Sequence, residues 1–262
     1  MNLNLSGKHA LVCGSTQGIG KAIAMELAGL GADITLVARD EEKLSSVLNE
    51  LQTNKAQNHN YICADFNDPD VLKQKVEKFL TKNGTVHILI NNTGGPPAGQ
   101  AMDATLEEFT RAFSNHLLCN QILVLAVLEG MKSSGYGRII NIISTSVKQP
   151  IQGLGVSNTI RGAVANWAKT LAGELGPFGI TVNNVLPGFT DTPRLNSLLN
   201  HKAEKTGKSL EEIINTSKAA IPMGRFAKPP EIADAVAFLA SPSASYINGI
   251  NLPVDGGRLE SL

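Results

Sequence analysis

Cysteine is scarce: Cys13, Cys63 and Cys119 are the three in 262 residues, widely spaced and with no CxxC pair. That excludes a disulfide scaffold and a structural zinc cluster, and it fits a reducing, cytoplasmic compartment. The three read as small buried hydrophobes. Excess charge of either sign is missing too, because 23 Lys and Arg balance 23 Asp and Glu. Capture of nucleic acid or of an acidic membrane surface needs a basic face, so neither partner is expected. The longest strongly apolar run, Ile122 to Leu128, falls far short of the ~20 residues that cross a bilayer. The opening MNLNLSGK lacks the apolar stretch of a signal peptide. Repeats, low-complexity tracts and Pro/Gly/Ser linkers are absent as well. One domain over 1–262 is therefore expected, with 42 % apolar residues to fill its core.

What is present is alternation. Short apolar, β-branched runs occur at 9–13, 34–38, 61–64, 87–90, 138–143, 180–186 and 250–254. Amphipathic stretches of helical length separate them, at about 18–30, 41–55, 69–82, 105–131, 155–175 and 229–240. The runs are continuously apolar, as in strands buried on both faces. The predicted class is α/β: a single-domain, doubly wound, Rossmann-type parallel sheet of about seven strands with helices on both faces. Segment 190–228 breaks the rhythm. It is polar, holds Pro193 and Pro222, and sits between a strand and a helix, so a lid or binding loop is expected there.

The first strand runs straight into Gly14-Ser15-Thr16-Gln17-Gly18-Ile19-Gly20 and then a helix. Glycines there permit a tight turn, let backbone N–H groups approach a pyrophosphate and place it at a helix N-terminus. The spacing is G-x-x-x-G-x-G, not the commoner G-x-G-x-x-G. With that turn the sequence resembles the short-chain dehydrogenase/reductases, and the nearest flavour is that of 3-oxoacyl-carrier-protein reductases. The resemblance covers almost the whole chain. It includes Asn91-Asn92-Thr93-Gly94 after strand four, Asn141 to Ser144 after strand five, Pro187-Gly188-Phe189-Thr190-Asp191-Thr192 after strand six, and Asn248-Gly249 with Val254-Asp255-Gly256-Gly257 at the end.

A dinucleotide cofactor is thereby implied. NAD-specific enzymes end strand two with an acid that bonds the ribose 2′-hydroxyl, whereas this chain has Ala38 and then Arg39. Without a carboxylate to repel it, a 2′-phosphate can be clamped by the guanidinium, so NADP is expected and NAD is the weaker choice. The plainer reading of Arg39 is a solvated side chain neutralised by Asp40 and Glu41. The resemblance also places Asp65 and Phe66 near the adenine, Asn92 near its ribose, and Thr190 and Thr192 near the nicotinamide. Gly94, Pro187 and Gly188 would complete the lining. Asp65 has a plainer reading as a loop or helix cap.

At the catalytic position the chain departs from the family. There a Tyr phenol gives the proton, a Lys four residues on lowers its pKa, a Ser orients the carbonyl and an Asn supports a relay. Ser144 falls on the Ser, while Ser157 and Arg161 stand where Tyr and Lys belong. Counting puts His116, not the neighbouring Asn115, at the Asn position. An aliphatic hydroxyl is a far weaker acid than a phenol, and an arginine keeps its proton near neutrality but can hydrogen-bond ribose hydroxyls. His116 has a suitable pKa for proton transfer, against the plainer reading of a packed helix residue. His201 in the lid reads as solvated rather than as a reactant. The chain's only tyrosines, Tyr61, Tyr136 and Tyr246, all lie away from this position. Two classes remain open: an NADP-linked oxidoreductase acting on a small carbonyl, alcohol or acyl compound, or a nucleotide-binding pseudoenzyme or regulatory subunit. The resemblance further implies a homo-oligomer, a tetramer by preference, with the small residues Gly162, Ala163, Ala165, Ala168, Ala172 and Gly173 and the stretch from Ile250 to Leu262 as candidate contacts.

Overall fold

The computed structural model describes residues 1–53 and 56–261. Seven parallel strands form one sheet in the order β3-β2-β1-β4-β5-β6-β7: β1 His9–Cys13, β2 Asp33–Ala38, β3 Asn60–Cys63, β4 Ile88–Asn91, β5 Gly137–Ile142, β6 Ile180–Pro187 and β7 Asn251–Val254. This is the expected doubly wound sheet. Its order reverses between β1 and β4, and a crevice opens there at the carboxyl ends of the strands. β1, β4 and β5 are buried throughout, which is why they read as continuous apolar runs.

Helices cover both faces. One core layer packs α1 (Gly18–Gly29), α2 (Glu41–Glu50) and α9 (Pro229–Ala240) on the sheet through Ile23, Leu27, Leu44, Ile232 and Val236. The other packs α3 (Pro69–Asn83), α5 (Cys119–Ser134) and α6 (Gly155–Leu175) through Leu72, Val76, Leu123, Val127 and Ala168. Truncating a fully buried leucine such as Leu27 or Leu123 costs about 2–5 kcal/mol. α2 ends at Glu50, short of the expected 55, because Leu51 is already extended. Asn54 and Lys55, the last of that expected helix, lie outside the described residues.

The stretch expected as one helix over 105–131 is three pieces. Thr105 and Glu108 form a capping box that starts α4 (Leu106–Phe113), a π turn follows at Ser114–Leu118, and α5 runs on to a left-handed Gly135. Taken together, Leu106–Ser134 is long and apolar enough to cross a membrane by length and composition. Here its apolar side is spent on the sheet, where Cys119, Leu123, Val124, Val127 and Met131 are buried.

The 190–228 segment folds as α7 (Pro193–Thr206) and α8 (Leu210–Ala219) around a small core of Leu195, Leu199 and Ile213. An isolated bridge between Thr190 and Ala227 and an edge-to-face contact of Phe189 with Phe226 at 5.9 Å tie both ends of the segment together.

A polar row crosses this apolar sheet. Asn91, Asn141, Asn184 and Asn251 are register partners on β4, β5, β6 and β7. Asn91 Nδ2 donates to Asn141 Oδ1 at 2.8 Å, Asn141 to Asn184 at 2.9 Å, and Asn184 to Asn251 at 2.8 Å. A one-residue slip of any of these strands would break the row, so it fixes register beneath the crevice.

Candidate active site

The phosphate turn is shaped by what its backbone leaves no room for. Gly14 and Gly18 take left-handed φ of 60° and 55°. A Cβ on Gly14 would lie 2.7 Å from Asn92 Nδ2, and one on Gly20 would overlap the Gly14 carbonyl oxygen. Asn92 holds the turn from β4, donating to the carbonyls of Cys13 (3.2 Å) and Gly14 (3.3 Å). Gln17 gives α1 no side-chain cap, and the first turn has no acidic residue. The first-turn N–H groups therefore stand open to an anion. Ser15 is the exception among the residues expected to meet the cofactor: it is fully buried, its hydroxyl 3.5 Å from the Val37 carbonyl, and does not line the crevice.

The crevice is a cleft of about 590 Å³ that gathers Gly14, Thr16, Gly18, Ile19, Gly20, Arg39, Asp65, Phe66, Asn92, Gly94, Ser144, Ser157, Arg161, Pro187, Gly188, Thr190 and Thr192 along one wall-to-wall groove. At its β2 end Arg39 is exposed. Asp40 caps α2, pairs with Lys43 at 2.7 Å and also feels the charge of Arg39, while Glu41 accepts from the Tyr61 hydroxyl, so the plainer reading of Arg39 holds beside the functional one. Asp65 lines the cleft and also caps its own loop, accepting from Asn67 N and Nδ2, so both readings of it hold. The family-like C-terminal residues act from behind. Asn248 ties α6 to β6 through Ala172 O and Val182 N, and Asp255 receives the N–H groups of Gly257 and Leu259. Gly188 is pressed so close to Asp255 that a Cβ would sit 2.7 Å from its Cα.

Ser144, Ser157 and Arg161 come together at the β5–α6 end, with Ser157 and Arg161 four apart on one face of α6. Ser144 Oγ accepts the Ser146 N–H at 3.0 Å, which leaves its proton to be donated into the cleft. Arg161 is 8 % exposed and donates through Nη1 to Ile142 O at 2.9 Å. Burial, and then the nearby Arg194, pull its pKa down to about 10, so it stays cationic at neutral pH. His116 does not join them. It lies in the π turn, 3 % exposed, and is not among the residues lining the cleft. Burial first, then Arg161 and Arg194, hold its pKa at about 2. Burial thus works against the imidazolium form that a proton donor at His116 would need. Asn115, set aside by the count, does line the cleft and donates to Asn67 Oδ1 at 2.9 Å.

No phenol replaces the missing one. Tyr61 and Tyr136 give their hydroxyl protons to Glu41 and to Ala240 O, and Tyr246 is fully exposed; none lines the cleft. His201 is exposed on the lid. Of the cysteines, Cys13 and Cys119 are buried as expected, with burial raising both thiol pKa values, to about 12 for Cys119, whereas Cys63 is half-buried. Among the described residues no three His, Cys, Asp or Glu side chains gather as a metal site. The residues that sequence reasoning missed are two more cations in the cleft, Arg194 and Arg258. Arg194 follows Thr192-Pro193, whose cap and N1 proline could have located the start of α7 at the crevice.

Similarity to known proteins extends along nearly the whole chain. A family model described as Enoyl-(Acyl carrier protein) reductase matches residues 14–258. A granaticin polyketide synthase putative ketoacyl reductase of Streptomyces violaceoruber is 35 % identical over 95 % of this chain and 92 % of its own. The 3-oxoacyl-[acyl-carrier-protein] reductase of Vibrio cholerae is 34 % identical over 97 % and 98 %. The crystal structure of L-sorbose reductase from Gluconobacter frateurii, complexed with NADPH and L-sorbose, superposes with a TM-score of 0.93 at 31 % identity, covering all of both chains.

Proposed function

The chain belongs to the short-chain dehydrogenase/reductase family, and from that premise we propose that it is an NADP-linked oxidoreductase of small carbonyl and alcohol compounds that works without the family's Tyr and Lys. The observation that carries this is the continuity of one cleft, from the exposed Arg39 through the glycine turn to Ser144, Ser157 and Arg161. The residues fit the cofactor. Gly14, Gly18 and Gly20 leave a backbone cradle that a Cβ would fill, the open first turn of α1 suits a pyrophosphate, and Arg39 suits a 2′-phosphate. Asp65, Phe66, Asn92 and Gly94 would flank the adenosine half, and Pro187, Gly188, Thr190 and Thr192 the nicotinamide half. When bound, the nicotinamide supplies or accepts the hydride.

The chain's own residues do the rest. Ser144 hydrogen-bonds the substrate oxygen through its hydroxyl and orients it. Arg161, cationic and buried, stabilises negative charge developing on that oxygen, where a low-dielectric site makes a fixed charge most effective. Ser157 leaves an open space where a phenol would stand, and water there delivers the proton. In the reductive direction a carbonyl, NADPH and one proton become an alcohol and NADP⁺. His116, buried outside the cleft lining but near enough to feel the charge of Arg161, is a positioning residue. We also propose a homo-oligomer, a tetramer by preference. Ala165, Ala168 and Ala172 are buried on the sheet side of α6, but a Cβ on Gly162 or Gly173 would meet nothing, and Leu118 and Leu125 stand 44 % and 59 % exposed on the neighbouring helical stretch. Leu262, the last of the C-terminal residues expected to add contact, lies outside the described residues.

The missing phenol favours a second reading, a nucleotide-binding subunit without turnover. One experiment separates the two. The purified protein is titrated with NADPH and NADH by calorimetry, then mixed with NADPH and a panel of ketones, aldehydes and 3-oxoacyl thioesters, following the nicotinamide absorbance. Tight NADPH binding with slow consumption is the expected result. Binding without turnover across the panel supports the second reading, and no binding of either nucleotide overturns both.

A further inference from the structure

The inner end of the cleft is cationic without compensation. Arg161 reaches it from α6 and Arg194 from the second residue of α7, on the lid. Neither forms an ion pair among the described residues. The one acidic side chain lining the cleft is Asp65, already engaged by Asn67. Each guanidinium spends a single nitrogen on the protein, Arg161 Nη1 on Ile142 O and Arg194 Nη2 on Pro96 O. No nitrogen of either is both buried and unpartnered, so the remaining donors face the open cleft. Two cations this close repel one another, which lowers the proton affinity of Arg161 beyond the effect of burial.

The supports are rigid. The Pro96 carbonyl that steadies Arg194 belongs to a loop pinned to the start of α6: Gly99 N donates to Gly153 O at 2.8 Å and Gly155 N to Gly99 O at 2.9 Å. Ile151, Leu154 and Leu198 line the same cleft, Leu198 one turn along α7 from Arg194. The subsite therefore pairs a double guanidinium with an apolar wall.

We propose that the compound turned over in this cleft is an oxo or hydroxy acid, its carboxylate held by the Arg161–Arg194 pair and its hydrocarbon part by Ile151, Leu154 and Leu198. A planar carboxylate matches the guanidinium fork, and it supplies the negative charge that the cleft lacks. This rests on the oxidoreductase reading and narrows its substrate class. Because Arg194 sits on the lid, the carboxylate also joins lid to sheet.

The test is a binding measurement on protein saturated with NADP⁺, in which an oxo compound binds without being consumed. Affinities are measured by calorimetry for 2-oxo and 3-oxo acids of increasing chain length and for the methyl ester of each. The acids should bind at least tenfold more tightly than their esters, since a hydrogen-bonded charge contributes about 1.5–3 kcal/mol. Arg194→Gln should erase most of that preference and leave NADPH affinity within twofold. Arg194→Lys, which keeps the charge but not the fork, should restore part of it. Equal affinities for acids and esters in the wild type would overturn the proposal. So would an Arg194→Gln protein that loses NADPH affinity tenfold yet still prefers acids, because Arg194 would then serve the cofactor's phosphates. Acid-selective binding with no nicotinamide absorbance change when the same oxo acids are mixed with NADPH would sustain this subsite and count only against the oxidoreductase reading.

Discussion

Ser157→Tyr combined with Arg161→Lys places a phenol and an ammonium four residues apart on one face of α6, above a Ser144 already in position. Ser157 borders open cleft space, so a ring has room there. The magnitude follows from the wild-type site. With its pKa near 10, Arg161 is neutral in only about one molecule in a thousand at pH 7, so it cannot cycle a proton through catalysis. A positioned general acid contributes roughly 10²–10⁴-fold in rate, or about 3–5 kcal/mol of barrier. The double variant should gain within that range in kcat for ketones that carry no carboxylate. Either single change should gain less than about tenfold, because the phenol lacks its ammonium in one and the ammonium lacks a phenol in the other. Adding His116→Asn should help further only if the π turn lets the amide reach the cleft, which the buried position of His116 argues against. The assay is initial NADPH consumption from pH 5 to 9, with cofactor affinity and melting temperature measured on every variant. A folded double variant that binds NADPH as the wild type does, yet gains less than tenfold, would refute the assignment of Ser157 and Arg161 to these positions.

Other expectations are simpler to check. Arg39→Ala should weaken NADPH by about 10–150-fold, the loss of one charge-assisted hydrogen-bonding group, and leave NADH unchanged; equal wild-type affinity for the two removes the argument. His116, at about 2 in the folded protein and near 6.5 in the unfolded chain, favours the unfolded state as pH falls below 6.5. Denaturant titrations should show stability falling by up to about 1.4 kcal/mol per pH unit from this group between pH 6 and 4, and His116→Gln should flatten that slope. Asn141→Ala should cost about 2–6 kcal/mol by stranding Asn91 Nδ2 and Asn184 Oδ1, whereas Asn251→Ala at the exposed edge should cost about 1 kcal/mol; equal losses would contradict the row described here. Light scattering at micromolar concentration should give a multiple of 27.7 kDa, and a monomer would dispose of the assembly proposal.

The fold was legible because doubly buried strands leave no alternation: the apolar runs at 9–13, 34–38 and 138–143, short and set between longer amphipathic stretches, fall on β1, β2 and β5 to within a residue. The glycine turn was legible because three positions there exclude a Cβ. The absence of Tyr and Lys could be read by counting along α6, which has no irregularity. What counting could not show is the burial of His116, because the π turn at Ser114–Leu118 changes which way each residue faces. Arg194 was invisible because its place depends on how the lid folds back on the loop at Pro96. In the sequence, Asn91 and Asn141 belong to two separate motifs, and Asn184 to none. Only strand register shows that they are one object.

That object has a grammar of its own. Asn91, Asn141 and Asn184 each give to the next amide in the row, so the four point one way, starting from Asn91, whose Oδ1 is an acceptor with no donor. Turning any single amide over would set donor against donor on one side and acceptor against acceptor on the other; the row can reverse only as a whole. Replacement follows the same logic. Losing one interior asparagine orphans two buried groups, while losing all of them together orphans none, and matched apolar groups in their place can be nearly neutral. Descendants of this chain would therefore be expected to carry the three buried asparagines, Asn91, Asn141 and Asn184, as a single heritable block, with the exposed Asn251 freer to change.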